Sequence, residues 1–163
     1  MNDGLSSHYT DAHDSPGLLL WQVTNTWQAA QRAALRPFDL THVQFVLLAS
    51  LTWLNSDTPV TQRELAEHSH ADPMMTSQVL RVLETKGLID RGPHPTDARA
   101  RALAATRTGA ALANTANAAV ESVESVDQTF FARLGDEQQH FTAMLQRLTQ
   151  TGRPTSPPPP SIL

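Results

Sequence analysis

Residues 72–109 read DPMMTSQVLRVLETKGLIDRGPHPTDARARALAATRTG, and the order of signals along them decides the fold. Asp72 suits a helix N-cap, where its carboxylate accepts an orphan backbone N–H, and Pro73 suits the first helical position, where its missing donor is not needed. Gly87 marks the stop. Between them Thr76, Val79, Leu80 and Leu83 recur at spacings of three and four, the pattern of a buried stripe on an α-helix. Met74, Ser77, Gln78, Arg81 and Thr85 fall on the opposite face, with Glu84 as the one acidic neighbour. Such a face can lie against a polyanion and hydrogen-bond to base edges. An ordinary solvated helix carries the same residue types, so the decision rests on the flanking sequence.

Downstream, Leu88-Ile89-Asp90-Arg91 is a short apolar-to-polar run, residues 92–97 are dense in turn formers, and residues 98–105 alternate as a return strand does. This predicts a β-hairpin. On the return strand Arg99, Arg101 and Leu103 share one parity, which places two cations on one side near the tip. Arginine at such a tip can enter a minor groove or contact phosphates; charged edge strands also serve simply to deter aggregation. Upstream, Thr61 followed by Glu64 is a capping-box signature for a short helix ending near residues 68–70. Short helix, turn, reading helix and β-wing form a winged helix-turn-helix, in which the second helix enters the major groove. The fold class expected is mainly α with a small β-hairpin.

The run from Val60 to Gly109 resembles the MarR family of bacterial transcriptional regulators. The resemblance is carried by Leu83-Glu84-Thr85-Lys86-Gly87-Leu88-Ile89-Asp90-Arg91, by Asp97-Ala98-Arg99 and by Thr106-Arg107-Thr108-Gly109, with Leu40–Leu48 resembling the start of that family's second helix. Met74 and Met75 depart from the pattern, standing where small polar residues are frequent, and Ala105 replaces the usual Leu. The resemblance implies a winged helix-turn-helix over about 38–106, flanked by dimerisation helices over about 17–36 and 107–149, within a single domain spanning 16–149. It also implies a homodimer on double-stranded DNA carrying an inverted repeat, with half-sites about 10 bp apart, and repression released by a small aromatic or phenolic effector. Under that model Met74, Ser77 and Gln78 approach base edges, with Arg81 beside them. Arg99 and Arg101 serve the wing, Asp97 holds Arg99 or Arg91 by a charge-assisted hydrogen bond, and Arg63 contacts a phosphate. Trp21, Trp27, His42, Phe45 and Trp53 are the aromatics to inspect for an effector crevice, although apolar helical faces more commonly pack as core.

Composition sets bounds on this reading. The 163 residues suffice for one domain with a real core. No run of about 18 apolar residues could span a bilayer, and residues 17–21 are too brief for a signal-peptide core, so a cytoplasmic protein with no membrane association is expected. The absence of cysteine removes disulfides, thiolate metal sites and thiol sensing. The net charge of −4 suits a polyanion binder only once mapped: residues 73–107 hold six cations against three anions, while the acids cluster in the leader and in residues 121–137. A basic face on an acidic protein is workable because surface charges act over about 8–10 Å. No nucleophile elbow or phosphate-cradling glycine loop is present, so no enzyme is expected. No cofactor is expected either. Seven histidines, with His68-Ser69-His70 beside His42, His94 or His140 as conceivable nitrogen ligands, keep a metal-responsive regulator as an alternative without naming a metal site. A winged-helix protein-interaction module without an operator is another.

Residues 1–15 read as a flexible leader and residues 150–163, with four consecutive prolines, as a flexible tail. Leu18–Leu35 predicts an amphipathic helix with Leu19, Val23, Trp27 and Ala30 as its apolar stripe, ended by Pro37. From Thr106 an Ala-rich helix is expected to run to Leu134 through Leu112, Ala116, Val120, Val123 and Phe130. Gly135 then breaks it, and Asp136 caps a last helix carrying Phe141, Met144, Leu145 and Leu148.

Overall fold

Ser15 Oγ accepts from the Leu18 N–H at 3.4 Å and Pro16 takes the first helical position, so helix α1 spans Pro16–Leu35. Pro37 ends it within a 3-10 turn, Arg36–Phe38, and Asp39 reverses the chain in the left-handed region at φ 52°. Helix α2 (His42–Leu54) then starts from a reciprocal box: the Gln44 N–H donates to Thr41 Oγ1 and the Thr41 N–H to Gln44 Oε1, each at 3.2 Å. A two-residue strand β1 (Val60–Thr61) leads into helix α3 (Gln62–His68), opened by the expected capping box between Thr61 and Glu64. The carboxyl of Glu64 is held below the usual carboxylate range by the Thr61 backbone N–H and then by the Thr61 hydroxyl.

Helix α4 (Pro73–Thr85) has Asp72 as N-cap, accepting the Met75 N–H at 2.8 Å. Strands β2 (Ile89–Pro93) and β3 (Arg101–Ala105) pair antiparallel, Ile89 opposite Ala105 and Pro93 opposite Arg101, and β1 completes a sheet of order β1-β3-β2. Helix α5 (Arg107–Glu121) follows β3, and after it come α6 (Val126–Phe131), a 3-10 stretch Ala132–Glu137 and α7 (Gln138–Thr149). This computed structural model describes residues 6–54, 59–97, 99–121 and 125–150. They divide into two units, one through Gln128 and one from Thr129.

One leucine-rich cluster fills the first unit: Leu47, Leu48 and Leu51 of α2, Leu65 of α3, Leu80 and Leu83 of α4, Ile89 and Leu103 of the sheet, and Ala113 and Ala116 of α5. Each fully buried leucine contributes about 1.5–3 kcal/mol against leaving it in water. The stripe read from the sequence of α4 is thus its inner face. Thr76 is fully buried, with its hydroxyl donating to the Asp72 carbonyl at 2.8 Å, and Val79 is half-buried.

The joint between α4, the sheet and α5 is closed by backbone. Gly87 sits at φ 67° and ends α4, as a residue without a Cβ does readily. Thr106 returns to this corner: its N–H donates to the Leu88 carbonyl at 3.0 Å and its hydroxyl to the Gly87 carbonyl at 2.9 Å, while that hydroxyl accepts the Gly109 N–H at 3.0 Å. A Cβ on Gly109 would lie 1.9 Å from the Leu88 carbonyl oxygen, so only glycine lets α5 approach this closely.

The described part of the leader contains a helical turn, Ala12–Asp14, capped by Asp11. Several expectations are corrected. On α1, Leu19 and Val23 are exposed and Trp27 and Ala30 only half-buried; burial falls on Gln31 and Leu35, because the C-terminal half of the helix is what meets the core. The helix expected from Thr106 to Leu134 is not continuous. α5 ends at Glu121, and buried Ser125 restarts the chain by accepting the Gln128 N–H at 3.3 Å ahead of α6. Asp136 does not cap α7; Glu137 holds that position without a side-chain bond, and Gly135, at φ 52°, makes the kink before it. Val123 and the proline run lie outside the described residues.

Gly109 and Gly92 form a matched test, since a Cβ on Gly92 meets nothing within 4 Å. Gly109→Ala is expected to lower unfolding stability by about 3 kcal/mol or more, the cost of steric overpacking against backbone. Gly92→Ala should change it by less than about 1 kcal/mol. Urea denaturation followed by far-UV circular dichroism gives both values, and equal midpoints for the two variants would refute the closed joint.

Candidate nucleic-acid interface and effector crevice

Because Thr76, Leu80 and Leu83 bind α4 to the core, the residues between them are turned outward. Met74 is 73% exposed, Gln78, Arg81 and Thr85 are exposed, and Ser77 is half-buried. Lys86, just past the helix end, is tied down instead, its ammonium 2.8 Å from the Asp39 carboxylate in the turn between α1 and α2. Arg63 stands exposed in the first turn of α3 and pairs with Glu67 one turn on at 2.7 Å, so a phosphate would have to displace that carboxylate.

The wing departs from its sequence reading in two respects. Arg99 lies in the turn before β3 and not on the strand, so strand parity does not aim it. Arg101 is exposed at the start of β3, and Leu103, on the same parity, is buried. Asp97 does not bond the guanidinium of Arg99 or Arg91: its carboxylate accepts the Arg99 backbone N–H at 2.9 Å, shaping the turn. Arg91 lies 3.5 Å from Glu84, the carboxylate that α4 brings closest to β2. Among the described residues Arg81, Arg99 and Arg101 have no ion-pair partner. Sequence reasoning missed the role of His94. Its Nδ1 accepts the backbone N–H groups of Asp97 at 3.1 Å and Thr96 at 3.3 Å, so the imidazole organises the wing tip, while the His94 backbone N–H donates to the Ala100 carbonyl at 3.3 Å. The signal for it is the turn-rich His94-Pro95-Thr96-Asp97 itself, where an imidazole two or three residues ahead of free backbone N–H groups can accept them.

The five aromatics do not form one crevice. Phe45 belongs to the core and Trp21 is 65% exposed on the N-terminal half of α1. Trp27 and His42 meet edge to face, ring centroids 5.0 Å apart. Asp127, at the start of α6, closes this corner: its Oδ1 accepts both the Trp27 indole N–H and a Gln31 amide N–H at 2.6 Å. Nothing in the sequence marked this link, which joins residues about a hundred positions apart. Trp53, 84% exposed, lies at the other end of α2 over a separate cleft of about 620 Å³. The histidines are dispersed: His42 beside Trp27, His68 at the cleft under Trp53, His94 in the wing. Among the described residues no three metal-ligating side chains converge.

Burial of His42 pushes its pKa below the ordinary imidazole value, against the pull of the Asp127 carboxylate and with the help of the Arg32 guanidinium. As pH falls the unfolded chain takes up this proton before the folded one. The contribution of His42 to stability is therefore complete above the ordinary value and is lost as pH drops through it toward the lower folded value. Replacing the group removes the linkage: His42→Gln is expected to lose less thermal stability than the parent between about pH 7 and pH 5, measured by calorimetry, and parallel Tm profiles would contradict it. For the wing, His94→Ala should speed amide exchange at Thr96 and Asp97 by about fivefold, the equivalent of one modest hydrogen bond, while amides of the β2–β3 ladder keep their protection.

Three comparisons bear on this geometry. The family model described as MarR family matches residues 40–100. The chain is 43% identical to the uncharacterized HTH-type transcriptional regulator YdcH of Bacillus subtilis, over 87% of this chain and 95% of that protein. It is 35% identical to the HTH-type transcriptional repressor Rv2887 of Mycobacterium tuberculosis, over 84% and 96%. The solved complex of that M. tuberculosis protein with salicylic acid superposes with a TM-score of 0.62 at 34% identity, covering 85% of this chain and 98% of the other. The repressor CouR bound to a 23-mer DNA duplex shares the fold at a TM-score of 0.76 and 22% identity, covering 90% of this chain and all of the other. With its capped reading helix, its wing and relatives matched over nearly their whole length, this chain belongs to the MarR family of helix-turn-helix transcriptional regulators.

Proposed function

We propose that this protein is a repressor that binds an inverted-repeat operator as a homodimer and leaves it on binding a small aromatic effector. The observation that carries the DNA reading is the division of α4: every residue that holds the helix faces inward, and Met74, Ser77, Gln78 and Arg81 bear almost none of the packing. Gln78 is placed to pair bidentately with adenine, and Met74 offers apolar contact to a thymine methyl. Arg99 and Arg101 reach phosphates or a minor groove from the wing, and Arg63 exchanges Glu67 for a phosphate. Two-fold symmetry would set half-sites about one helical turn apart. For that dimer we assign the N-terminal part of α1, where Leu19, Leu20, Trp21 and Val23 are exposed, and the exposed apolar residues Met144, Leu145 and Leu148 of α7. For the effector we assign the Trp27–His42 end of α2, where an aromatic edge and the nearby Arg32 suit a phenolic anion. The salicylic acid complex of the M. tuberculosis relative supports that chemistry. No enzymatic activity and a cytoplasmic location complete the reading. Among the described residues no helix is long and apolar enough to cross a membrane.

Selection of bound genomic fragments should enrich an inverted repeat; failure to enrich any would favour a protein-interaction module. On that operator, Arg99→Ala is expected to weaken binding and to lower the slope of log affinity against log salt by about one. Gln78→Ala should cost about 1–3 kcal/mol on the operator and little on shuffled DNA. Fluorescence anisotropy across a salt series separates these outcomes, and unchanged affinity in both folded variants would refute the contact assignment.

A further inference from the structure

Of the twelve lysines and arginines in this chain only Lys86 is a lysine, and its place is a structural one. It is the C-cap of α4, whose last turn holds no basic residue, so its ammonium answers the partial negative charge at that end of the reading helix. Two of its N–H groups are spent on the turn between α1 and α2, one on the Asp39 carbonyl and one on the Asp39 carboxylate at 2.8 Å. The same side chain lines an open cleft of about 500 Å³ with Arg32, Arg36, Asp39, Thr41 and Gln44. Arg32 and Arg36 stand one turn apart at the end of α1, both exposed, and neither has an ion-pair partner among the described residues. Three cations thus face one carboxylate, and that carboxylate is already committed to Lys86.

This arrangement holds what acyl transfer from an anionic donor to an amine requires. A lysine attacks only after giving up a proton, and the Asp39 carboxylate is within hydrogen-bond reach to take it. Two guanidinium groups suit the phosphate of a donor, because each presents paired, planar N–H groups to its oxygens. We infer that Lys86 is a site of acylation by small acyl phosphates, the phosphate resting on Arg32 and Arg36. In the step the Nζ lone pair bonds the acyl carbon, the bond from that carbon to the phosphate oxygen breaks, and inorganic phosphate leaves with the electron pair. Of the two protons that nitrogen gives up, one passes to Asp39 and then to water and the other leaves on the phosphate. The product is a neutral amide, with one N–H and no charge for either Asp39 or the helix end. The inference rests on the DNA-binding reading only for its consequence: acylation frees the end of the reading helix from the turn between α1 and α2.

The chemistry is read without DNA, so a failed search for an operator and a failed acylation are separate results. The full chain is incubated with acetyl phosphate or with the neutral donor p-nitrophenyl acetate, and peptide mass spectrometry follows Lys86 against free Nα-acetyl-lysine in the same tube. With acetyl phosphate Lys86 is expected to react at least about tenfold faster than the free amino acid, the scale of one hydrogen bond between charged groups. Arg32→Ala and Arg36→Ala should each slow that reaction by about three- to tenfold, with circular dichroism and the rate of the neutral donor unchanged. In the acetylated protein and in Lys86→Gln, amide exchange should quicken at Lys86 and Gly87, whose N–H groups close the end of α4, while Lys86→Arg keeps the parent rate. The inference is overturned if Lys86 reacts no faster than the free amino acid, if both arginine variants keep the parent rate with acetyl phosphate, or if the Lys86 and Gly87 amides exchange equally before and after acetylation.

Discussion

The Leu88 carbonyl is the point on which the DNA-binding half of this protein turns. Thr106 donates to it, Gly109 passes against it and Gly87, one residue earlier, takes the Thr106 hydroxyl. Reading helix, sheet and α5 thereby share one corner of backbone, with the Thr106 hydroxyl as the one side-chain group that bridges it. Geometry fixed by backbone is stiffer than geometry fixed by packing, because no rotamer can relax it. A displacement of α5 is delivered to the end of α4 and to the base of the wing together. The Lys86–Asp39 pair makes a second tie at the same end of α4, to the turn between α1 and α2. It is partly exposed, and exposed pairs contribute little to stability, so its part is to orient the helix end.

Around that corner the leucine cluster sets the depth of each element. α2 is the most deeply seated helix, contributing Phe45, Leu47, Leu48 and Leu51, and aromatic side chains stand at both of its ends. At one end Trp27, Gln31 and Asp127 form a hydrogen-bonded clasp around His42; at the other, Trp53 stands clear of the core.

The parts legible in the sequence are those whose causes are local. Asp72 and Pro73, the Thr61–Glu64 box, Gly87 and the spacing of Thr76, Leu80 and Leu83 each act within one or two turns, and the winged helix-turn-helix follows from their order. β1 escaped notice because two residues carry no periodicity. The break before α6 escaped because the composition on either side of Ser125 is equally helical, and only the burial of its hydroxyl against the Gln128 amide distinguishes a restart from a continuous helix. Partner choice was least legible. Arg91 had Asp97 and Glu84 within similar sequence distance, and the hairpin geometry decided for Glu84. Aromatics grouped by type scattered into core, surface, clasp and cleft, since residue type says that a side chain packs and not against what.

The partition of α4 has a consequence for divergence among related chains. Substitutions at Thr76, Leu80 or Leu83 are answered by the core and removed by loss of folded protein, whereas substitutions at the outward-facing Met74, Gln78 or Arg81, the positions proposed to meet DNA, leave the packing untouched at almost no thermodynamic cost. Selection for stability and selection for a new target thus act on interleaved but separate positions of one helix. A lineage carrying this fold can change the genes it answers to while keeping its leucines, so overall similarity between two such chains records shared packing far more faithfully than shared targets.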